Sequence, residues 1–170
     1  ITIFSTPFDF SAVDLLEKLD APAYKIASFE LVDLPLIARV AQTGKPMIMS
    51  TGMANKEEIQ EAVDTAYENG CEELIVLHCV SGYPSPPGQY NLKTIVDISE
   101  QFNVLSGLSD HTVDNITALA AVALGACLIE KHFTLDRNGG GADDSFSLEP
   151  PELAQLCADT KVAWEAIGKV

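Results

Sequence analysis

Two of the three histidines in this 170-residue chain follow short apolar runs at corresponding points. His111 comes after Ser109-Asp110, and His132 comes after Glu130-Lys131. If the two runs are neighbouring parallel strands, both imidazoles lie close together. Two imidazoles that leave positions open for water or substrate oxygens are typical of a catalytic divalent-metal site. His78 ends another run and is expected at the same mouth, although any of these histidines can instead be a hydrogen-bonded core residue.

Lys25 and Lys131 also stand at the ends of apolar runs, in a chain with 10 basic and 25 acidic residues. Each lysine can bind a phosphate or a carboxylate, or form a Schiff base with a carbonyl substrate. The alternative is a salt bridge to Glu30 or Glu130. Lysines, nearby hydroxyls and helix N-termini together predict a pocket for a small anion such as a phosphorylated carboxylate. The hydroxyls belong to Ser5, Thr6, Ser28, Ser50, Thr51 and Ser109.

Two loops are expected to close over this pocket. Gly139–Gly141 is too flexible for a fixed phosphate cradle, and it predicts a mobile lid that presents Asp143 or Asp144 to the substrate. A solvated surface loop is the alternative interpretation. Prolines stiffen the segment after the fourth apolar run, and this segment is expected to hold Tyr83 over the mouth.

Six short apolar runs position these groups, and amphipathic segments alternate with them along the chain. The runs are apolar on both faces, which is typical of parallel strands covered on both sides. The predicted strands are Ile1–Ser5, Ala23–Ala27, Pro46–Met49, Glu73–Leu77, Val104–Leu108 and Cys127–Ile129.

Helix signals lie between the runs. The expected N-caps are Ser11, Asp33 and Asn55, and Glu58 predicts a capping box with Asn55. The predicted helices cover Ala12–Leu19, Leu34–Gln42, Lys56–Asn69, Asn91–Phe102, Asn115–Leu124 and Pro151–Ile167.

Repeated strand–helix units indicate a parallel sheet with right-handed crossovers, in either a doubly wound fold or a (β/α)8 TIM barrel. A doubly wound sheet gathers its functional groups at one switch point. Here every run ends in groups that can bind or react, which is typical of a barrel's C-terminal face. A whole barrel takes about 250 residues. Residues 1–170 are therefore predicted to be a partial α/β TIM barrel of about six units, strands 3 to 8. Two N-terminal units are expected upstream, and the open sheet is expected to self-associate or be unstable alone.

The net charge of −15 argues against nucleic acid and anionic membranes as partners, since both require a basic surface. No apolar stretch approaches the roughly 18 residues that span a bilayer. The four cysteines are widely spaced, without a CxxC pair, and predict free, buried thiols in a reducing compartment. The expected location is the cytoplasm.

An ordered set of segments carries a family resemblance. The segments are Phe4–Phe8, Tyr24–Glu30, Ser50–Met53, His78-Cys79 with Tyr83-Pro84, Gly107–Thr112 and Ile129–Thr134. Together they resemble the barrel of the sialic acid synthase family, the phosphoenolpyruvate-dependent nonulosonic acid synthases, over nearly the whole chain. Within that family, Lys25–Glu30 and Asp144–Pro150 resemble the pseudaminic acid synthases most closely.

The resemblance implies a condensation of phosphoenolpyruvate with the open-chain aldehyde of an N-acetylated amino sugar, with release of phosphate. For a pseudaminic acid synthase the sugar is 2,4-diacetamido-2,4,6-trideoxy-altrose. The alternatives are an N-acetylneuraminic or legionaminic acid synthase, a Schiff-base aldolase that uses Lys25 or Lys131, and an inactive barrel kept as a binding module.

The resemblance also implies roles for individual residues. His111 and His132 match the ligands of a divalent metal, typically Mn²⁺, with Mg²⁺ or Co²⁺ as alternatives. Glu30 matches an acid that contacts the sugar and serves in proton transfer, and Asp143 matches one that binds sugar hydroxyls. The residues that match the phosphoenolpyruvate site are Thr6, Lys25, Ser28, Ser81, Tyr83 and Ser109.

The chain departs from the family pattern at three points. Ser81 stands where the family has an asparagine, and Ala142 stands where a proline usually precedes the aspartate. A glutamate and a second substrate lysine from the family's first strands are missing. Also missing is the antifreeze-like C-terminal domain, which reaches into a partner's site across a homodimer. The full-length protein is therefore expected to be a homodimer, and this chain alone is expected to be inactive.

Overall fold

The computed structural model describes residues 1–168, which form one sheet of five parallel strands. The strands are β1 (Tyr24–Ile26), β2 (Met47–Ser50), β3 (Leu74–Cys79), β4 (Leu105–Asp110) and β5 (Ile129–Lys131). Each strand pairs with the next one along the chain. Sequential order is that of a curled barrel sheet, whereas a doubly wound sheet reverses its order at a switch point. The predicted partial TIM barrel is therefore confirmed as the fold class.

Helices connect the strands and cover the outer face of the sheet. They are α1 (Phe10–Lys18), α2 (Leu34–Ala41), α3 (Lys56–Glu68), α4 (Thr94–Phe102), α5 (Ile116–Ala123) and α6 (Pro150–Ile167). The Asp33 cap and the Asn55–Glu58 capping box are confirmed. The Ser11 cap is wrong, because the Asp9 carboxylate accepts the Ala12 N–H at 2.8 Å and the Ser11 O–H at 2.7 Å. An ionised carboxylate is a stronger acceptor than a hydroxyl, so α1 begins earlier.

The first predicted strand, Ile1–Ser5, is also wrong as a strand. Ser5 forms one isolated parallel bridge with Tyr24, through a bond from the Lys25 N–H to the Ser5 carbonyl. Ile1 and Ile3 are exposed. Within residues 1–168 the Ser5–Tyr24 bridge is isolated, so a regular ladder does not extend along this segment.

The two faces of the sheet have different roles. Tyr24, Ile26, Met47 and Met49 are fully buried against the helices, and each such side chain contributes about 1.5–3 kcal/mol on burial. Because successive strand residues alternate in direction, Lys25 and the other intervening residues lie on the opposite, inner face. The outer face therefore holds the fold together, and the inner face is available for polar groups.

Gly107 allows β4 and β5 to approach closely. A Cβ at this position would lie 2.4 Å from the Leu128 carbonyl oxygen and 2.7 Å from the Leu77 side chain. The close approach brings Ser109 opposite Glu130 in the strand register. The glycine thus positions two polar residues at the C-terminal end of the sheet.

No helix within residues 1–168 is long and apolar enough to cross a membrane. The four cysteines are free thiols; Cys71 and Cys79 are buried, as predicted, whereas Cys127 and Cys157 are exposed, so the predicted burial is wrong for these two.

Candidate active site

A cavity of about 380 Å³ lies at the C-terminal ends of the strands. It brings together the predicted residues Thr6, Lys25, Ser28, Tyr83, Ser109, His111 and His132. Ala27, Ser50, Cys79, Glu130 and Lys131 complete its wall. A larger cavity of about 590 Å³ lies at the opposite ends of the strands, but its wall is mostly apolar. The reactive groups are thus concentrated at the end where barrel enzymes carry their active sites.

Lys25 is the centre of a polar network on the inner face. Its Nζ donates to Ser50 Oγ at 2.7 Å and contacts the two Glu130 carboxylate oxygens at 2.7 and 2.8 Å. Ser109 Oγ donates to the same carboxylate at 2.8 Å. The alternative of a salt bridge to Glu130 is therefore confirmed. An anionic ligand at Lys25 has to compete with Glu130, a residue that the sequence identified only as a salt-bridge partner.

Two serine hydroxyls converge beside Gly52. The Gly52 N–H donates to Ser28 Oγ at 3.0 Å. Ser81 Oγ is buried and has no hydrogen-bond partner within residues 1–168. A Cβ on Gly52 would lie 2.4 Å from Ser81 Oγ and 2.9 Å from Ser28 Oγ. Buried hydroxyls are normally hydrogen-bonded, so Ser81 has an unused donor beside the pocket.

The two histidines at the strand ends lie close together, as predicted. Their ring centroids are 5.3 Å apart and the rings are inclined by 63°. His111 Nδ1 lies 2.9 Å from the Val80 carbonyl oxygen. A carbonyl oxygen only accepts, so Nδ1 carries the proton and the Nε2 lone pair is unprotonated. Burial lowers the pKa of His111, which favours the neutral, ligating form of the imidazole.

The residues fit a divalent metal held by two imidazoles. His132 Nδ1 lies 3.4 Å from an Asp143 carboxylate oxygen, so both rings have an acceptor near Nδ1. Such outer partners orient metal-binding imidazoles. Residues 1–168 contain no group of three or more His, Cys, Asp or Glu side chains placed to hold a metal.

Aromatic rings surround the two imidazoles. The Tyr83 ring centroid lies 4.3 Å from that of His111 and 5.9 Å from that of His132. Tyr83 is part of the cavity wall and is half exposed, so its predicted position over the mouth is confirmed. Phe146, which the sequence analysis missed, also packs here, and its ring centroid lies 5.1 Å from that of His132. The sequence signal for Phe146 is that it is an apolar residue within the polar segment that follows Gly139–Gly141.

Neither of the two predicted sugar-binding acids is part of the cavity wall. Glu30 begins a short 3₁₀ turn, Glu30–Val32, just after β1, and it is not part of the cavity wall. Its Oε2 is buried and has no hydrogen-bond partner within residues 1–168. Asp143 is exposed beside His132. The roles of both acids remain predictions.

Lys131 is not the anion-binding or Schiff-base group that the sequence suggested. Its Nζ contacts the Asp110 carboxylate at 3.0 Å and the carbonyl oxygens of Thr112 and Asp114 at 2.7 and 2.8 Å. These three acceptors use the three N–H groups of the ammonium. Lys131 therefore fixes the loop after β4.

The prediction that His78 lines the mouth is also wrong. Its Nε2 donates to the Tyr90 carbonyl oxygen, and the cavity wall contains the next residue, Cys79, instead. The alternation of side chains along β3 places these two residues on opposite faces. His78 is the hydrogen-bonded core histidine of the alternative interpretation.

Asp144 holds the glycine-rich loop rather than facing a substrate. One of its carboxylate oxygens accepts the Thr134 hydroxyl at 2.6 Å, and the other accepts the Gly141 N–H at 2.7 Å. A Cβ on Gly141 would lie within 2.9 Å of that carboxylate. Of the two acids, Asp143 is the one that lies beside the imidazoles.

Comparison with known proteins gives concordant results. The NeuB family model matches residues 1–170. The chain is 45% identical to N,N'-diacetyllegionaminic acid synthase of Campylobacter jejuni over 170 residues, which is 99% of this chain and 51% of that protein. It is also 45% identical to pseudaminic acid synthase of Helicobacter pylori over 167 residues, 98% of this chain and 49% of that protein. The chain thus spans about half the length of these relatives.

Solved structures agree with the fold and the family. The crystal structure of N-acetylneuraminic acid synthetase from Leptospira borgpetersenii, in complex with citrate, superposes with a TM-score of 0.96 at 36% identity. The match covers 99% of this chain and 59% of that one. A 3-deoxy-D-arabino-heptulosonate 7-phosphate synthase from Thermotoga maritima, at 14% identity and a TM-score of 0.81, shares the fold alone. On the family match and these relatives, the chain belongs to the NeuB family.

Proposed function

We propose that the protein carrying this chain condenses phosphoenolpyruvate with an N-acetylated amino-sugar aldehyde to a nonulosonic acid and releases phosphate. The observation that carries the proposal is the convergence of Lys25, several hydroxyls and two imidazoles in one cavity at the strand ends. The names of the relatives support it, since they are nonulosonic acid synthases.

The anionic substrate would bind at the Lys25 end of the cavity. Lys25 supplies the positive charge, and the hydroxyls of Thr6, Ser28, Ser81 and Ser109 supply neutral donors, with Tyr83 above them. In an acidic chain these local donors must overcome an unfavourable net charge of −15. Phosphoenolpyruvate would displace Glu130 from Lys25, because both are anions competing for one ammonium.

His111 and His132 would hold a divalent cation, Mn²⁺ with Mg²⁺ or Co²⁺ as alternatives. The cation would supply Lewis-acid polarisation of the sugar aldehyde and orient the attacking water. The chain's own contribution is orientation: the Val80 carbonyl and Asp143 hold the two rings through their Nδ1 atoms.

The acceptor in this proposal is 2,4-diacetamido-2,4,6-trideoxy-altrose, which makes the product pseudaminic acid. Glu30 and Asp143 would contact it, and the buried Glu30 oxygen without a partner supports a polar ligand there. Sequence identity is the same, 45%, to the legionaminic and pseudaminic acid synthases named above. The choice among sugars therefore rests on Lys25–Glu30 and Asp144–Pro150, and the experiment must decide it.

The test is phosphate release from phosphoenolpyruvate by the intact protein with Mn²⁺. N-acetylmannosamine and the diacetamido altrose sugar are offered separately. Turnover with the altrose sugar alone supports the full proposal, and turnover with N-acetylmannosamine alone changes the sugar but keeps the reaction. No turnover with either sugar refutes both of these acceptors. Borohydride with pyruvate is the control, since it traps an imine only if Lys25 is a Schiff-base lysine.

A further inference from the structure

The segment that follows β3 holds His111 at three separate points. The Val80 carbonyl accepts from the His111 imidazole at 2.9 Å, and the Ser85 N–H donates to the His111 carbonyl at 3.1 Å. The Tyr90 hydroxyl accepts the His111 backbone N–H at 2.6 Å. His111 lies one residue beyond β4, where the sheet ladder no longer pairs its backbone. One segment therefore replaces the ladder for this residue.

Tyr90 is the residue of this segment that lies in the hydrophobic core. It is 1% exposed and packs with Ile95 and Leu108. Its carbonyl accepts the His78 Nε2–H, and the His78 ring meets the Tyr90 ring edge-on at 6.2 Å. The Tyr90 ring, which carries the hydroxyl, is thus held by core side chains and by the His78 ring. A rigid support of this kind is what precise placement of a neighbouring group requires.

We propose that Tyr90 is a positioning residue for His111, and that its hydroxyl sets the backbone so that Nδ1 faces the Val80 carbonyl and Nε2 remains available to a divalent cation. The cation belongs to the function proposed above, whereas the placement of His111 does not depend on it. The effect should be large, because removal of groups that orient a metal ligand typically weakens metal binding 10- to 100-fold.

The test compares Tyr90→Phe with Tyr24→Phe in the intact protein. Tyr24 is equally buried and its hydroxyl also forms a 2.6 Å bond, but to Glu17, away from the cavity. Mn²⁺ affinity is measured by the electron paramagnetic resonance of the free ion. We expect about tenfold weaker binding in Tyr90→Phe and unchanged binding in Tyr24→Phe. Equal affinities in wild type and Tyr90→Phe would overturn the inference.

A second readout needs neither metal nor turnover. In metal-free protein with ¹⁵N-labelled histidine, Tyr90→Phe should move the His111 amide proton upfield and lower the Nδ1–H tautomer fraction. Tyr24→Phe should change neither signal, and an unchanged His111 in Tyr90→Phe refutes the proposal. Altered His111 signals in a protein whose wild type binds no Mn²⁺ would support the positioning role and refute the metal part of the proposed function. If Tyr90→Phe does not fold, His78→Phe gives the same test, with a smaller change expected in the same direction.

Discussion

Two adjacent residues of β5, Glu130 and Lys131, form ion pairs with different partners. Glu130 lies on the inner face and pairs with Lys25 beside the cavity, where its side chain is 39% exposed. The next residue, Lys131, also contributes to the cavity wall, but its Nζ pairs with Asp110, and these two side chains are 4% and 0% exposed. Because strand residues alternate in direction, adjacent positions of one strand supply both pairs.

The partners of the two ammonium groups explain why only one of them is suited to bind a ligand. Lys131 is held by one carboxylate and two backbone carbonyls, which cannot move without unfolding the loop. Lys25 is held by side chains alone, Ser50 and the half-exposed Glu130. A side chain can rotate into water when a stronger anion arrives. A lysine held by side chains can therefore exchange its partner, and one held by backbone carbonyls stabilises the fold.

The largest effect is expected from Lys131→Met. The substitution leaves the Asp110 carboxylate buried without a countercharge, which costs about 3–5 kcal/mol. Denaturant unfolding of the intact protein measures the loss. Lys161→Met is the control, since Lys161 pairs with Glu165 at 3.9 Å on the exposed surface of α6 and should change stability by less than about 0.5 kcal/mol. Equal losses in both variants would contradict the distinction between the two pairs.

Lys25→Met should affect ligand binding more than stability. Glu130 can rehydrate when its partner is lost, so the unfolding free energy should fall less than in Lys131→Met. Phosphoenolpyruvate affinity should fall about 10- to 100-fold, the value of a hydrogen bond to a charged group. Calorimetric titration measures it, with Lys45→Met as the control because Lys45 pairs with Glu17 elsewhere. Unchanged affinity in Lys25→Met would remove Lys25 from the anion site.

Glu130→Gln tests whether the Glu130 carboxylate competes with an anionic ligand for the Lys25 ammonium. Removing the carboxylate charge frees the Lys25 ammonium, so inorganic phosphate should bind more tightly. The dissociation constant should fall by up to about tenfold, which corresponds to about 1.4 kcal/mol of binding free energy. The same titration with phosphate measures the change. Weaker phosphate binding in this variant would mean that Glu130 supports the anion site rather than competing for it.

Local sequence patterns predict some features of the fold and the site, but not the direction of every side chain. Strand order, the Asn55 capping box and the pairing of the two site histidines follow from local patterns, and the structure agrees. The faces of Lys131 and His78 do not follow from them, because a shift of one residue at a strand end reverses the direction of a side chain. Phe146 and the hydroxyl of Tyr90 depend on contacts between distant loops, for which the sequence carries no periodic signal.

The smallest effect concerns His78 on the outer face. Burial lowers its folded-state pKa, so below the unfolded value of about 6.5 the unfolded chain binds a proton that the folded protein does not. Stability should therefore fall as the pH drops through this range, by less than about 1.4 kcal/mol per pH unit from this group. His78→Phe should lack this part of the decline, so the stability gap between wild type and variant should narrow from pH 8 to pH 5. Urea unfolding across that range measures the gap, and parallel stability curves would show that His78 does not titrate differently in the folded state.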